Sequence, residues 1–342
     1  MIFLPALIAF AVATFLAKRF CNPISRFHIL DFPNERSLHT LPIPRSGGIA
    51  VLAGMGVGGV VTVLLYDSGL RIGFEILAVL ILASVSFLDD RFGVNQGLRL
   101  LTHFLAAIFL IVSGYTPEFL EFPGLAWVPG PFLVFPLLAL FVVWMINLYN
   151  FMDGMDGLAG GMTVIGFATF AILGRWGNHE MFAVSSLLVA GAVAGFLLFN
   201  LPPAKIFLGD VGSSVLGFLA AAFSLGGTRD GLFPFWLALL IFSPFIVDAT
   251  VTLGRRLVRG EKVWLAHKTH YYQKLVQIGW GQRKTLLVEY GLMLLCSLSA
   301  LAAMQVGTLA QMGIVVFWAC IYVCLLLAVA KLERRRARPG FP

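Results

Sequence analysis

Apolar positions in this chain do not alternate with polar ones; they run on without interruption. Eleven stretches are predominantly apolar: residues 2–20, 47–66, 72–88, 100–115, 131–148, 158–174, 181–199, 211–227, 233–253, 285–306 and 308–330. A helix that is apolar on every side belongs in lipid or in a deep core, and about 20 such residues cross a bilayer. The pattern therefore predicts an all-α polytopic membrane protein of about 11 transmembrane helices, or ten if one of the short Gly-rich runs does not cross. Barrel strands would alternate polar and apolar residues, and these runs do not.

Composition agrees with the pattern and adds direction. The 342 residues are 59% hydrophobic and only 12% charged, against about a quarter charged in soluble domains. A net charge of +7 would suggest nucleic acid if the basic groups formed a soluble patch, but they sit between the apolar runs. With eleven spans, 21 of the 24 Lys and Arg fall on one side, and only Arg71, Arg175 and Arg229 on the other. The positive-inside bias then places the N-terminus outside and the C-terminus in the cytoplasm. This gives a single transmembrane domain over 1–330, with cytoplasmic loops 21–46, 89–99, 149–157, 200–210 and 254–284, and a basic cytoplasmic tail over 331–342. The outer connections, 67–71, 116–130, 175–180 and 228–232, are short or bland. The first run lacks a basic leading segment and ends in Lys18 and Arg19, so it reads as a retained span and not a cleaved signal. Cys21, Cys296, Cys320 and Cys324 make no metal or disulfide pattern and read as reduced packing thiols.

The polar chemistry lies in the cytoplasmic loops. Residues 31–48 are rich in Pro and Gly, and Arg45 beside Gly47 and Gly48 could meet a phosphate at a helix N-terminus, or simply a lipid headgroup. Asp89 and Asp90 close the third run; acidic groups at membrane depth are costly and usually functional, though at the interface a pair can be no more than a solvated helix end. Asn150, Asp153 and Asp156 lie in a Gly-containing segment where the two Asp share a face if it is helical. It lacks the twelve-residue ligand pattern of an EF-hand, and a packing turn is the plainer alternative. Asp210 follows Gly209 at the start of the eighth run, ten residues after Asn200 and three after Phe207. The longest loop holds His267, Lys268 and His270. Two His three apart could begin a zinc site, but no third His or Cys stands near, which favours anion contact or proton transfer.

Gathered on one side of the membrane, five Asp with Arg45, Lys268 and His270 are what magnesium-dependent phosphoryl transfer requires: acids to hold the ion, cations to neutralise phosphate. No Walker A loop or kinase motif is present.

At these residues the sequence resembles the polyprenyl-phosphate N-acetylhexosamine-1-phosphate transferase superfamily, in the same order from Asp31 to Gly279. The resemblance implies transfer of a sugar-1-phosphate from a UDP-sugar to a lipid phosphate with release of UMP. It implies Asp89, Asp90 and Asp210 as catalytic and Mg²⁺-binding groups, with Mn²⁺ as a substitute ion, and His270 as a further catalytic group. It implies Asn150, Asp153 and Asp156 for the nucleotide, Phe207 to stack on uracil, and Asn200 as an active-site Asn. Arg45 and Arg99 would meet phosphates, with His267 and Lys268 beside them. Relatives commonly carry a His-x-His-His run where this chain has His270-Tyr271-Tyr272-Gln273. That variant resembles O-antigen-initiating members and implies preference for a 6-deoxy-N-acetylhexosamine.

The expectation is thus a bacterial inner-membrane enzyme with a cytoplasmic site, using a UDP-N-acetylamino sugar and undecaprenyl phosphate among membrane lipids. No nucleic acid is expected, and a homodimer is left open. A donor restricted to UDP-GlcNAc, for another envelope glycan, is the alternative within the class. A secondary transporter using intramembrane Asp for ion coupling is the rival from another class; it requires mid-span acids and repeat symmetry, whereas these acids cluster at one face.

Overall fold

The computed structural model describes residues 1–33, 38, 40–66, 73–128, 130–263 and 267–336. Arg36, Arg71, Arg338, the outer connection 67–71 and the end of the basic tail lie outside the described residues. The apolar runs are helices: α1 (Leu4–Phe20), α2 (Gly47–Tyr66), α3 (Phe74–Phe92), α4 (Gln96–Val112), α5 (Pro131–Met152), α6 (Leu158–Trp176), α7 (Glu180–Asn200), α8 (Gly209–Arg229), α9 (Phe235–Ile241), α10 (Ser243–Val258), α11 (Tyr271–Leu275), α12 (Gly281–Ala303) and α13 (Thr308–Arg336). Two small antiparallel pairs join them, β1 (Leu30–Asp31) with β2 (Ile43–Pro44), and β3 (Leu120–Phe122) with β4 (Leu125–Trp127). The second pair makes a hairpin of the 116–130 connection, which the sequence presented as bland.

The protein is an all-α membrane protein. By length and composition, seven of its described helices can cross a bilayer, or eight if α9 and α10 form one bent span, fewer than the eleven expected. The shortfall has local causes: α1 and α4 are 17 residues long, and α3 carries Glu75, Asp89, Asp90 and Arg91. Residues 233–253, expected as one straight span, are broken by 78° between α9 and α10. Pro244 lies in the first turn of α10, where it has no N–H to give back and its ring crowds the carbonyl one turn earlier. The Ser243 hydroxyl donates to that Leu240 carbonyl at 2.7 Å.

Helices in lipid gain little from apolarity alone and associate through close backbone approach. Ala9, Ala13 and Ala17 form a buried stripe on α1. A Cβ at Gly54 or Gly58 of α2 would sit 2.6 or 2.7 Å from a carbonyl of α1, and one at Gly191 or Gly195 of α7 would sit 2.5 or 2.4 Å from others. These small residues, four apart, fasten α1 between α2 and α7. The central post is α8, with 83% of its span buried, while α13 is peripheral at 11%. Helices α2, α3, α5 and α6 all contact α8, so its N-terminus is where their ends converge.

Candidate active site

The start of α8 is built from parts of three other segments. Its N-cap residue is Leu208, which has no side chain able to cap. Asp90 of α3 does so instead: its two carboxylate oxygens accept from Asp210 N at 3.1 Å and Val211 N at 3.2 Å. A carboxylate on the first amides of a helix also meets the positive end of its dipole. Such close approach needs Gly209, whose φ is +76° and whose Cβ would fall 2.4 Å from the Arg45 carbonyl and 2.9 Å from Asp90 Oδ2. Phe207 N donates to the Pro44 carbonyl, and the Phe207 and Leu208 carbonyls accept from Gly47 N and Gly48 N. The α2 N-terminus is thereby tied to that of α8, and the amides proposed for a phosphate are already engaged.

Arg45 leads from β2 into this junction. Its guanidinium donates to the Asp90 carbonyl and lies 3.7 Å from carboxylate oxygens of both Asp31 and Asp90. On the other side Asn95 caps α4 by accepting from Gly97 N at 2.7 Å, which places Arg99 in the first turn. Arg99 Nη1 is 2.9 Å from Asp89 Oδ2 and 3.8 Å from Asp210 Oδ2, and Nη2 donates to Asn150 Oδ1 at 3.4 Å. Asn150, at the end of α5, donates to Asp210 Oδ1 at 2.6 Å and to Ser213 Oγ at 3.2 Å. The Asp89 and Asp210 carboxyls thus share one guanidinium nitrogen. Asp89, Asp90, Arg45, Arg99, Asn150 and Asp210, read from four separate stretches of sequence, are thus one contact network.

Asp153 follows α5 and is half-buried. Burial, and then repulsion from Asp210, Asp90 and Asp156, hold its carboxyl well above the usual carboxylate range. Residues 153–157 form a turn, not a helix, so Asp153 and Asp156 do not share a helical face. Asp156 is buried and accepts from Ala204 N at 2.9 Å. Asn200, also buried, accepts from Gly157 N at 2.9 Å and donates to the Ile206 carbonyl at 2.8 Å. Both side chains therefore staple the 153–157 turn to the 200–208 loop behind the network. Phe207 is half-buried and Lys268 exposed.

Sequence reasoning missed Asp248, which lies in the run 233–253 and passed there as part of a featureless span. It is buried on α10 and accepts from His270 Nδ1, Tyr271 N and Tyr272 N, each at 3.0 Å, and from Thr252 Oγ1 at 3.1 Å. The cost of an acid within an apolar run was the signal that could have found it. His270 is 2% exposed, with its ring 4.8 Å from that of His267 and 6.2 Å from that of Phe151. His267 Nδ1 accepts from Thr269 N at 3.3 Å and contacts Thr269 Oγ1 at 2.9 Å. Burial, then the neighbouring His270 and Arg256, push its pKa down to about 4. Tyr272 is fully buried and donates to the Phe151 carbonyl at 3.1 Å, while Gln273 Oε1 accepts from His270 N at 3.2 Å. The pair that the sequence linked to sugar choice is therefore engaged inside the protein.

Five carboxylates crowd this region, and two guanidinium groups touch them. Among the described residues, no group of three or more His, Cys, Asp or Glu converges as a metal cage. Mg²⁺ does not ask for one: it is usually held by one or two carboxylates, with phosphate oxygens and water completing its shell. Two carboxylates that share one guanidinium, with further carboxyls around them, fit an ion bound in that way, and the all-oxygen donor set suits Mg²⁺.

Residues 74–228 match the model described as glycosyl transferase family 4. That segment includes Asp89, Asp90, Arg99, Asn150, Asp153, Asp156, Asn200, Phe207 and Asp210, while Arg45, His267, Lys268 and His270 lie outside it. A probable undecaprenyl-phosphate N-acetylglucosaminyl 1-phosphate transferase of Bacillus subtilis (strain 168) is 28% identical, over 98% of this chain and 93% of its own. A decaprenyl-phosphate N-acetylglucosaminephosphotransferase of Mycobacterium leprae is 30% identical, over 82% of this chain and 78% of its own. An undecaprenyl-phosphate alpha-N-acetylglucosaminyl 1-phosphate transferase of Escherichia coli (strain K12) is 28% identical, over 84% and 79%.

Proposed function

The chain belongs to glycosyl transferase family 4, and from that premise we propose that it transfers N-acetylglucosamine 1-phosphate from UDP-N-acetylglucosamine to a polyprenyl phosphate, releasing UMP. The observation that carries this reading is the network in which Arg99 links Asp89, Asn150 and Asp210 at the head of α8. It combines oxygen donors for a divalent ion with cations for phosphate, and its residues lie where the basic-residue bias puts the cytoplasm. The acceptor is undecaprenyl phosphate, and the product is a primer for a cell-surface polysaccharide, an O antigen or another envelope glycan.

A phosphate monoester, with its second pKa at about 6, is largely ionised at neutral pH and needs little help to become a nucleophile. An acceptor phosphate oxygen forms a bond to the donor's β-phosphorus. The bond from that phosphorus to the bridging oxygen breaks, and its electron pair leaves on UMP. Arg45 and Arg99 draw off the charge that accumulates on the phosphate oxygens, which preorganised cations do at no reorganisation cost. Mg²⁺, held at Asp89 and Asp210, would supply further charge neutralisation and in-line orientation when bound. The Asp90 carboxylate holds Asp210 in place through the α8 amides, and the stapled 153–157 turn shapes the nucleotide side.

Two considerations favour N-acetylglucosamine over the 6-deoxy sugar implied by the His270–Gln273 variant. The similar proteins are named for N-acetylglucosamine, and Tyr272 and Gln273 make contacts within the protein. The test is a panel of UDP-N-acetylamino sugars offered to detergent-solubilised protein with undecaprenyl phosphate and Mg²⁺. The reading expects the highest kcat/KM for UDP-N-acetylglucosamine, the ratio of those constants being what defines discrimination. A higher value for a 6-deoxy donor would overturn the sugar assignment, and absence of any lipid-linked product would overturn the reaction.

A further inference from the structure

We infer that Asp248 is a positioning residue for this reaction: by holding His270 through Nδ1 and fixing the start of α11, it keeps a proton on Nδ1 and so fixes the tautomer in which the neutral ring carries its bare nitrogen at Nε2. The inference rests on the transferase reading for its kinetic consequence but not for its geometry.

A carboxylate oxygen only accepts, so the 3.0 Å contact between Asp248 Oδ1 and His270 Nδ1 requires a proton on Nδ1. In a neutral imidazole the proton is then absent from Nε2, since the bond made by one ring nitrogen sets the state of the other. The remaining contacts remove rotational freedom from the carboxylate. Oδ1 also accepts from Tyr271 N and Thr252 Oγ1, and Oδ2 accepts from Tyr272 N. Those two backbone amides are the first of α11, whose N-cap is His270 itself. One side chain thus fixes both the backbone entry and the tautomer of His270.

The ring so held faces the site's own segment. It stacks on Phe151, adjacent to Asn150, and the next residue but one, Tyr272, donates to the Phe151 carbonyl. A cytoplasmic extension of α13 braces the arrangement from outside: Val329 packs with Tyr271 and Leu275, and Lys274 Nζ lies 2.9 Å from Glu333 Oε2. Arg255 Nη1 donates to the Tyr271 hydroxyl at 2.7 Å.

The experiment compares full-length wild-type, Asp248→Asn and Thr252→Val proteins by kcat and KM for UDP-N-acetylglucosamine, together with ¹⁵N NMR of labelled histidine in micelles. Asparagine keeps the shape and one acceptor oxygen but cannot hold both amides and demand a protonated Nδ1. Asp248→Asn is expected to lower kcat by at least about tenfold with little change in KM, and to move the His270 nitrogens away from the pattern of a protonated Nδ1 and bare Nε2. Thr252→Val removes one bond to Asp248 without touching His270 and should leave both readouts near wild type. An unchanged His270 spectrum in Asp248→Asn, or equal kinetic loss in both variants, would overturn the inference. Were the wild type to show no transferase activity, the Proposed function would fall while the NMR comparison still decided whether Asp248 sets the tautomer.

Discussion

Replacing Arg99 by Met keeps most of the length of the side chain and removes the charge that three groups share. At an effective dielectric of about 20, the contacts at 2.9 Å to Asp89 and 3.8 Å to Asp210 correspond to gross attractions of about 6 and about 4 kcal/mol. Desolvation cancels much of this, and Arg99 is 30% exposed, so solvent screens part of the remainder. Removing one partner of a buried pair costs 3–5 kcal/mol, and an exposed pair contributes under about 1; a site between these limits should lose about 2 kcal/mol. The loss has a particular origin, because Asp89 and Asp210 lose the cation they share. Mg²⁺ at millimolar concentration should therefore recover more stability in Arg99→Met than in wild type, by linkage to the folded state. Thermal unfolding of detergent-solubilised protein in EDTA and in Mg²⁺ measures both quantities. Turnover should fall about 10²–10³-fold, the usual cost of removing a donor aimed at developing phosphate charge. Equal destabilisation with and without Mg²⁺, or none in either, would refute the argument that Arg99 balances a metal-binding acid pair.

Gly209→Ala should be costly beyond its size. At φ +76° an alanine is strained by about 1–2 kcal/mol, and its Cβ must push aside the Arg45 carbonyl or Asp90, so stability and turnover should fall together; an Ala variant with wild-type melting and kcat would contradict the close approach. His267 supplies a pH dependence. Because its folded pKa is lowered to about 4, its contribution to stability is present above the usual value of about 6.5 and is lost as pH falls from there toward 4. Melting curves of wild type and His267→Gln should converge in their pH trend above 7 and separate below 6, with wild type losing more; parallel curves down to pH 4.5 would remove the basis for a neutral, desolvated ring.

Helices and motifs were legible in the sequence to different depths and for different reasons. The apolar runs are long and unambiguous, so ten of them coincide with single helices and 233–253 with the bent pair α9 and α10; α1 and α4 are the shortest of the single helices, and α3 carries Glu75, Asp89, Asp90 and Arg91. The break at Phe242 was written in Ser243-Pro244 but hidden by the apolarity on both sides. The acids and Arg of the network announced themselves as polar groups at the ends of apolar runs. Asp156 and Asn200 looked equal to them by the same token, yet they hold the loops to each other, because which backbone amide lies opposite a side chain is a matter of tertiary packing. Asp248 was the reverse case, a polar residue well inside a run, whose partner His270 lies 22 positions away.

On the proposed reaction, the bond broken joins phosphorus to oxygen within the donor's diphosphate. That cleavage is tested most directly by UDP-N-acetylglucosamine carrying a radioactive β-phosphate, incubated with purified protein, Mg²⁺ and undecaprenyl phosphate, followed by extraction of the lipid. The label is expected to enter the organic phase in step with release of an equal amount of UMP. Release of labelled UDP together with an unlabelled glycolipid would contradict that cleavage.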